Sequence, residues 1–276
     1  MSETLDHKLT TLRLARIREV YPSWIEQAAH TQMGYGECLE QLVTEELLGR
    51  AENQLRRKMK TAGFPSAATL EQFDFTLRPE LKRTVMLRFF DSSFITTAGS
   101  LLLIGASGLG KTHLAIALGT KMVQLGYTVR FVIAQQLANA VLTAATHTEI
   151  TRLIEPLITC DLLILDELGY LSMEPQVGPV LYELISGRYE KGATVITSNK
   201  SLANWADLIG DAALMMAIID RLLHHGEVFY FRGSSYRMRG KEAVTLKGEA
   251  EAVPISIKLR VIRFANPSLP VKAEQC

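Results

Sequence analysis

Short runs rich in Leu, Ile, Val and Phe alternate with longer helix-like stretches through the second half of the chain. The runs at residues 101–104, 129–133, 162–165, 194–197 and 228–231 read as strands covered on both faces. Segments at about 111–124, 135–145, 176–190 and 212–223 lie between them and read as helices. This alternation predicts an α/β fold, a parallel sheet with right-handed crossovers. Residues 5–60 have a different pattern. Leu39, Leu42, Val43 and Leu47 stand at i, i+3, i+4 and i+8, the spacing of one buried helix face. Pro22 and the Gly34-Tyr35-Gly36 break divide this region into at least two helices. The second helix ends in Arg56, Arg57, Lys58 and Lys60, and Gly63 and Pro65 close it off. The expected organisation is a helical N-terminal domain over residues 1–65, a larger α/β domain over 66–240, and a tail over 241–276. Pro254, Pro267 and Pro270 make a packed helical unit in that tail improbable, so it is expected to be poorly ordered.

Composition narrows the picture only a little. The 276 residues are 47% hydrophobic and 21% charged, enough for one sizeable core with an appendage. Thirty Lys and Arg stand against 29 Asp and Glu, so any nucleic-acid-binding surface must be local. Cys38, Cys160 and Cys276 lack ligand spacing and are assigned no chemistry. The N-terminus lacks the apolar stretch of a signal peptide, and no run is long enough to span a membrane, so a cytoplasmic protein is expected, with no membrane partner.

The chemistry is concentrated in one string. Gly105-Ala106-Ser107-Gly108-Leu109-Gly110-Lys111-Thr112 fits G-x-x-x-x-G-K-[ST] and falls between a predicted strand and a predicted helix, where the motif requires it. The glycines let the backbone wrap a β-phosphate, so that N–H groups and the helix N-terminus face the anion. Lys111 neutralises the β- and γ-phosphates, and Thr112 offers its hydroxyl to Mg²⁺. The run 162–165 ends in Asp166 and Glu167, at the strand edge where open α/β sheets bind ligands. Asp166 is placed to hold Mg²⁺ and Glu167 to orient and deprotonate a water. Asn199 closes the string Thr197-Ser198-Asn199 at the same edge and is a candidate contact to the γ-phosphate or that water. Arg221 and Arg237 flank the last strand and are candidate cations for the γ-phosphate, although seen alone either reads more readily as a solvated surface charge. His224 and His225 lack partners at ligand spacing and read as helix-end residues.

Several strings occur together: Glu46 through Arg57, Ala62-Gly63-Phe64-Pro65, Phe73-Asp74-Phe75, Gly110-Lys111-Thr112-His113-Leu114-Ala115, Leu165-Asp166-Glu167-Leu168-Gly169-Tyr170, Arg188-Tyr189-Glu190, Thr197-Ser198-Asn199, Asp220-Arg221-Leu222-Leu223-His224-His225 and Ser235-Tyr236-Arg237. In this order, from about residue 34 to 240, they resemble the IstB family of helper ATPases that work beside DNA transposases. The resemblance implies an AAA+ P-loop core behind a small helical domain. It further implies ATP hydrolysis to ADP and phosphate, homo-oligomers with ATP at subunit interfaces, assembly on double-stranded DNA, and a cognate transposase as partner. By the same resemblance His113 belongs to the nucleotide-binding string, Asn199 is the sensor, Arg221 the finger reaching a neighbouring subunit's ATP, and Arg237 a second phosphate sensor. Ala106-Ser107 stands where a Pro pair is commoner in the family. The family is itself similar to the helicase loader DnaC, which leaves a helicase loader as the alternative function. A small-molecule kinase is the blander class, against which no acceptor-binding motif is present. Phe73 and Phe75 are candidates for a base pocket, although aromatic residues at such a position more often belong to the core.

Overall fold

The computed structural model describes residues 3–169 and 174–236. Three helices open the chain: α1 (Glu3–Thr11), α2 (Ala15–Thr31) and α3 (Tyr35–Ala62). Two short helices, α4 (Arg83–Leu87) and α5 (Ser93–Thr96), lead into the alternating part. There β1 (Ser100–Gly105), α6 (Lys111–Gln124), β2 (Val129–Ile133), α7 (Ala134–Thr143), α8 (His147–Thr159), β3 (Leu162–Leu168), α9 (Val177–Arg188), β4 (Ala193–Ser198), α10 (Ala212–His224) and β5 (Gly226–Phe231) follow in order. The five strands form one sheet, all pairs parallel, in the order β2-β3-β4-β1-β5.

The sheet is apolar on both faces because helices cover both. Leu101 and Leu103 point into one core with Leu114 and Leu118 of α6, while Leu102 and Ile104 point into the other with Leu184 and Ile218. Alternate residues of one strand thus serve opposite layers, and each fully buried Leu contributes roughly 1.5–3 kcal/mol. Four strands stand within a residue or two of their expected places, and β3 runs three residues beyond its expected end, through Asp166 and Glu167 to Leu168. α8 was not expected: Pro156 lies inside it and only one side of it, at Ile154 and Leu157, is buried.

Two other expectations need correction. Pro22 does not break the N-terminal region but sits inside α2. The breaks fall at residues 12–14 and at 32–34, the second at the expected Gly34, which is the N-cap of α3. The apolar stripe on α3 is not a buried face either. Leu39, Val43 and Leu47 are 62%, 44% and 63% exposed, and within the described residues only Leu42 of the four packs against the small cluster of Leu9, Ile17 and Tyr21. The cause is geometric. A 28-residue helix is about 42 Å long, and among the described residues its first half packs on α2 and on Leu9 of α1 through the face carrying Leu42 and Glu46.

Glu46 ties the two helices together. The residue preceding α2, Leu14, provides no side-chain cap, so the first N–H groups of the helix need another acceptor. Glu46 Oε2 accepts from the N–H groups of Arg16 (2.9 Å) and Ile17 (3.1 Å), while Oε1 accepts from Arg50 at 2.8 Å. Burial alone would raise the carboxyl's pKa, but these hydrogen bonds outweigh it and hold the group below its ordinary value of 4.5. A depressed carboxylate contributes stability that is present above the unfolded-state pKa and lost as pH falls through the folded one. Acidification below about pH 4.5 is therefore expected to loosen α2 from α3, and Glu46→Gln to shrink that acid-sensitive step. Amide exchange at Arg16 and Ile17 across pH 3–6 checks it; identical profiles for the two proteins would contradict the assignment.

The Arg-Tyr-Glu string begins with a structural residue. Arg188 is 1% exposed. It donates to the carbonyls of Leu157 (2.6 Å), Cys160 (2.8 Å) and Ala193, and to Thr194 Oγ1 (3.1 Å). Burying an isolated guanidinium costs several kcal/mol, and this set of acceptors offsets it. Burial lowers the Arg188 pKa from its ordinary value. Burial also pushes the Cys160 thiol up, which keeps it unreactive.

Candidate functional site

The loop between β1 and α6 is shaped by positions where a side chain does not fit, Gly105 and Gly110 among them. Gly105 has φ +153°, and a Cβ there would lie 2.4 Å from the carbonyl oxygen of Phe231 on neighbouring β5. Gly110, the N-cap of α6, has φ +94° and a Cβ site 2.8 Å from the Phe73 ring. Glycine lets the chain turn tightly here and brings the first turn of α6 to the rim of a cleft of 240 Å³. Lys111 Nζ donates to the carbonyls of Gly105 (2.6 Å) and Ala106 (2.7 Å), so its charge sits at the base of the loop.

Asp166 ends the apolar part of β3 and is 3% exposed. Its carboxylate accepts from the Thr112 hydroxyl at 2.9 Å and 3.2 Å, and from the Thr197 hydroxyl at 2.6 Å. A hydroxyl and a carboxylate joined in this way are an oxygen donor set, and hard oxygen donors suit Mg²⁺ rather than a softer ion. Glu167 follows in a left-handed conformation, φ +60°, which costs a non-glycine residue roughly 1–2 kcal/mol. That turn directs the side chain into the cleft, where Glu167 is exposed.

The cleft gathers most of the expected residues. Ser107, Gly108, Leu109, Gly110, Lys111, Thr112 and His113 line it from the loop and α6, and Glu167 and Asn199 line it from the strand ends. Gly105, Ala106 and Asp166 lie behind this wall, joined to it by the hydrogen bonds above. His113 Nε2 is 3.0 Å from the Thr69 carbonyl, which fixes the ring beside Phe73. Arg221 is not in the cleft of its own chain. It sits in the last turn of α10, donating to the Ala217 carbonyl (2.9 Å) and the Tyr182 hydroxyl (2.8 Å), with its guanidinium 4.7 Å from the centre of the Tyr182 ring. Arg237 and Tyr170 lie outside the described residues, as does the tail.

Phe73, Arg78 and Tyr236 complete the cleft wall. Both Phe73 and Phe75 pack against the core, edge-on to each other at 4.8 Å, and of the two Phe73 lines the cleft. Arg78 is 5% exposed and spans two distant segments, donating to the Leu109 carbonyl (3.1 Å) and the Ser234 carbonyl (3.0 Å). The Tyr236 N–H donates to the Gly108 carbonyl at 2.8 Å, so the chain after β5 packs against the phosphate-binding loop. Outside the cleft, Glu190 joins His224 and His225 in an exposed group, with His225 Nε2 3.4 Å from its carboxylate and the Tyr189 hydroxyl 2.8 Å from His224 Nδ1. Of the basic cluster on α3, Arg56 and Arg57 are exposed, and half-buried Lys58 donates to the Gly126 carbonyl.

Comparison with known proteins agrees with this geometry. The model of the IstB-like ATP binding protein family matches residues 7–244. A Pseudomonas aeruginosa protein named for insertion sequence IS21 and for ATP binding is 37% identical over 237 residues, covering 86% of this chain and 89% of the relative. A Geobacillus stearothermophilus protein named likewise for insertion sequence IS5376 is 32% identical, covering 87% of this chain and 96% of the relative. Among solved structures, DnaI aligns with TM-score 0.50 at 20% identity, over 61% of this chain and 89% of its own. DnaA of Aquifex aeolicus bound to AMPPCP aligns with TM-score 0.51 at 20% identity, over 61% of this chain and 51% of its own. These likenesses establish the fold: an AAA+ P-loop core with a parallel five-stranded sheet, preceded by helices.

Proposed function

The chain belongs to the family of IstB-like ATP-binding proteins, and from that premise we propose that it is an ATPase of an insertion sequence, binding ATP with Mg²⁺ in the cleft beside the phosphate-binding loop. The observation that carries the reading is the joining of Thr112 and Asp166 at 2.9 Å directly beneath that loop, with Glu167 beside them in the cleft. In this reading the loop and the start of α6 bind the phosphates, and Lys111 stabilises their charge. Thr112 and Asp166 hold Mg²⁺, which supplies charge neutralisation at the β- and γ-phosphates when bound. Glu167 orients a water and takes its proton, and Asn199 holds that water or the γ-phosphate. Phe73 and Leu77 give the base an apolar wall. Arg221 completes the site of a neighbouring copy.

The chain acts beside a cognate transposase in the cytoplasm, assembling on duplex DNA when ATP joins its protomers and releasing it on hydrolysis. No helix among the described residues is long and apolar enough to cross a membrane. Arg56 and Arg57, exposed on α3, are the candidate phosphate contacts, and the proposed domain division gives this helical region the DNA and partner contacts. The test is binding to duplex and to single-stranded DNA with and without ATP, across a salt series. ATP-dependent duplex binding is expected, falling by about 10³–10⁵ between 50 and 200 mM salt if 6–10 phosphates are neutralised. Indifference to DNA at low salt with ATP present would end the proposal, and an ATP-dependent preference for single strands would favour the helicase-loader alternative.

A further inference from the structure

Asp166 and Glu167 stand on a local irregularity of the sheet. Leu165 of β3 pairs with Ile196 of β4, yet the next pair is Leu168 with Ser198, so three steps along β3 match two along β4. One residue of β4, Thr197, therefore faces both acidic residues. A bulge leaves a backbone N–H without its ladder partner, and here that N–H belongs to Glu167. The Thr197 hydroxyl takes its place, accepting from Glu167 N–H at 2.9 Å and donating its own hydrogen to Asp166 Oδ1 at 2.6 Å. Thr197 is 1% exposed, on a strand whose neighbouring residues Val195 and Ile196 are apolar. A valine would suit that setting, and a hydroxyl is tolerated there because both its bonding capacities are used. The β-branch also restricts the side-chain rotamer, which fixes where the oxygen lies.

We propose that Thr197 is the positioning residue of the hydrolytic site: through one oxygen atom it sets the Asp166 carboxylate toward Mg²⁺ and holds the Glu167 backbone in the left-handed turn that aims its carboxylate into the cleft. The inference rests on the ATPase reading above and adds to it a residue on the cleft wall that acts through Asp166 and Glu167. The next residue reinforces the arrangement. Ser198 Oγ donates to the Leu168 carbonyl at 2.6 Å and accepts from the Trp205 indole N–H at 3.1 Å, so the strand end leading to Asn199 is anchored just beyond the bulge. A displacement of the acidic pair by about 1 Å is enough to cost roughly 10²-fold in rate.

The experiment compares full-length wild type, Thr197→Val and Thr197→Ser in three readouts: affinity for a fluorescent ATP analogue in EDTA, the gain in that affinity as Mg²⁺ is titrated in, and steady-state hydrolysis. Thr197→Val keeps the volume and removes the hydroxyl. It is expected to leave the EDTA affinity within about twofold of wild type, to need about tenfold more Mg²⁺, and to lose about 10² in kcat with little change in KM. Thr197→Ser restores the oxygen and is expected to return all three readouts to within a few-fold of wild type. A Val variant with wild-type kcat and Mg²⁺ dependence overturns the proposal, as does a Ser variant as impaired as the Val variant, since packing alone would then explain the residue. If Thr197→Val binds no analogue in EDTA, Thr197→Ala, which places no methyl against the carboxylate, carries the same expectations. A wild-type chain that binds ATP without hydrolysing it would sink the ATPase reading instead, and the Mg²⁺ titration would still decide the role of Thr197.

Discussion

Lys111→Ala is expected to weaken ATP binding by about 10³-fold while leaving the fold intact. A unit charge about 4 Å from a phosphate oxygen is worth roughly 4 kcal/mol at the effective dielectric of a partly exposed site, which converts to about three powers of ten in affinity. The loop's backbone and the first turn of α6 remain in the variant, so binding is weakened rather than erased. Stability should change little, because Lys111 lines the cleft and water entering from it can replace the ammonium at the Gly105 and Ala106 carbonyls. Isothermal titration with ATP, alongside a thermal melt, reads both quantities. An affinity within threefold of wild type, with an unchanged melting temperature, would remove Lys111 from the site and with it the argument for a triphosphate in this cleft.

The legible part of the molecule is the part where local pattern and global position coincide. β1, β3 and β4 are central strands covered on both faces, so their sequences are nearly unbroken apolar runs and their places could be read directly. The phosphate-binding loop and the Asp166-Glu167 pair are contiguous strings at strand ends, where parallel topology itself brings chemistry together. The stripe on α3 shows the limit of this kind of reading. Its spacing announced a helix correctly, but periodicity does not say whether a neighbour exists to cover the stripe, and over Leu39 to Leu47 α2 covers only the other side. Arg78 is invisible in the sequence for another reason. Arg78 meets the Ser234 carbonyl across 156 residues of sequence, and no residue type or interval marks such a meeting. In sequence Thr197 marks only the end of a strand, because the bulge that gives its hydroxyl two partners exists only in the pairing of β3 with β4.

Arg221→Ala is expected to bind ATP as wild type does and to lose hydrolysis by about 10³-fold or more, the usual effect of removing a cation from the γ-phosphate. Within its own chain Arg221 lines no part of the cleft. The Tyr182 hydroxyl at 2.8 Å and the ring beneath it hold the guanidinium against α9, pre-organised but away from the cleft lining. An arginine so placed acts on phosphate only by reaching the cleft of another copy, and a head-to-tail interface permits that. Mixing experiments follow from the geometry. Lys111→Ala contributes a sound Arg221 with a defective cleft, and Arg221→Ala contributes the reverse. Each variant alone should be nearly inactive, whereas in an equimolar mixture about a quarter of randomly formed head-to-tail interfaces would pair a sound cleft with a sound arginine and regain hydrolysis. Recovery that rises with total protein concentration would fit a site shared between copies. An inactive mixture, or Arg221→Ala turning over ATP at the wild-type rate, would leave Arg221 as a helix-end residue bound to Tyr182 and nothing more.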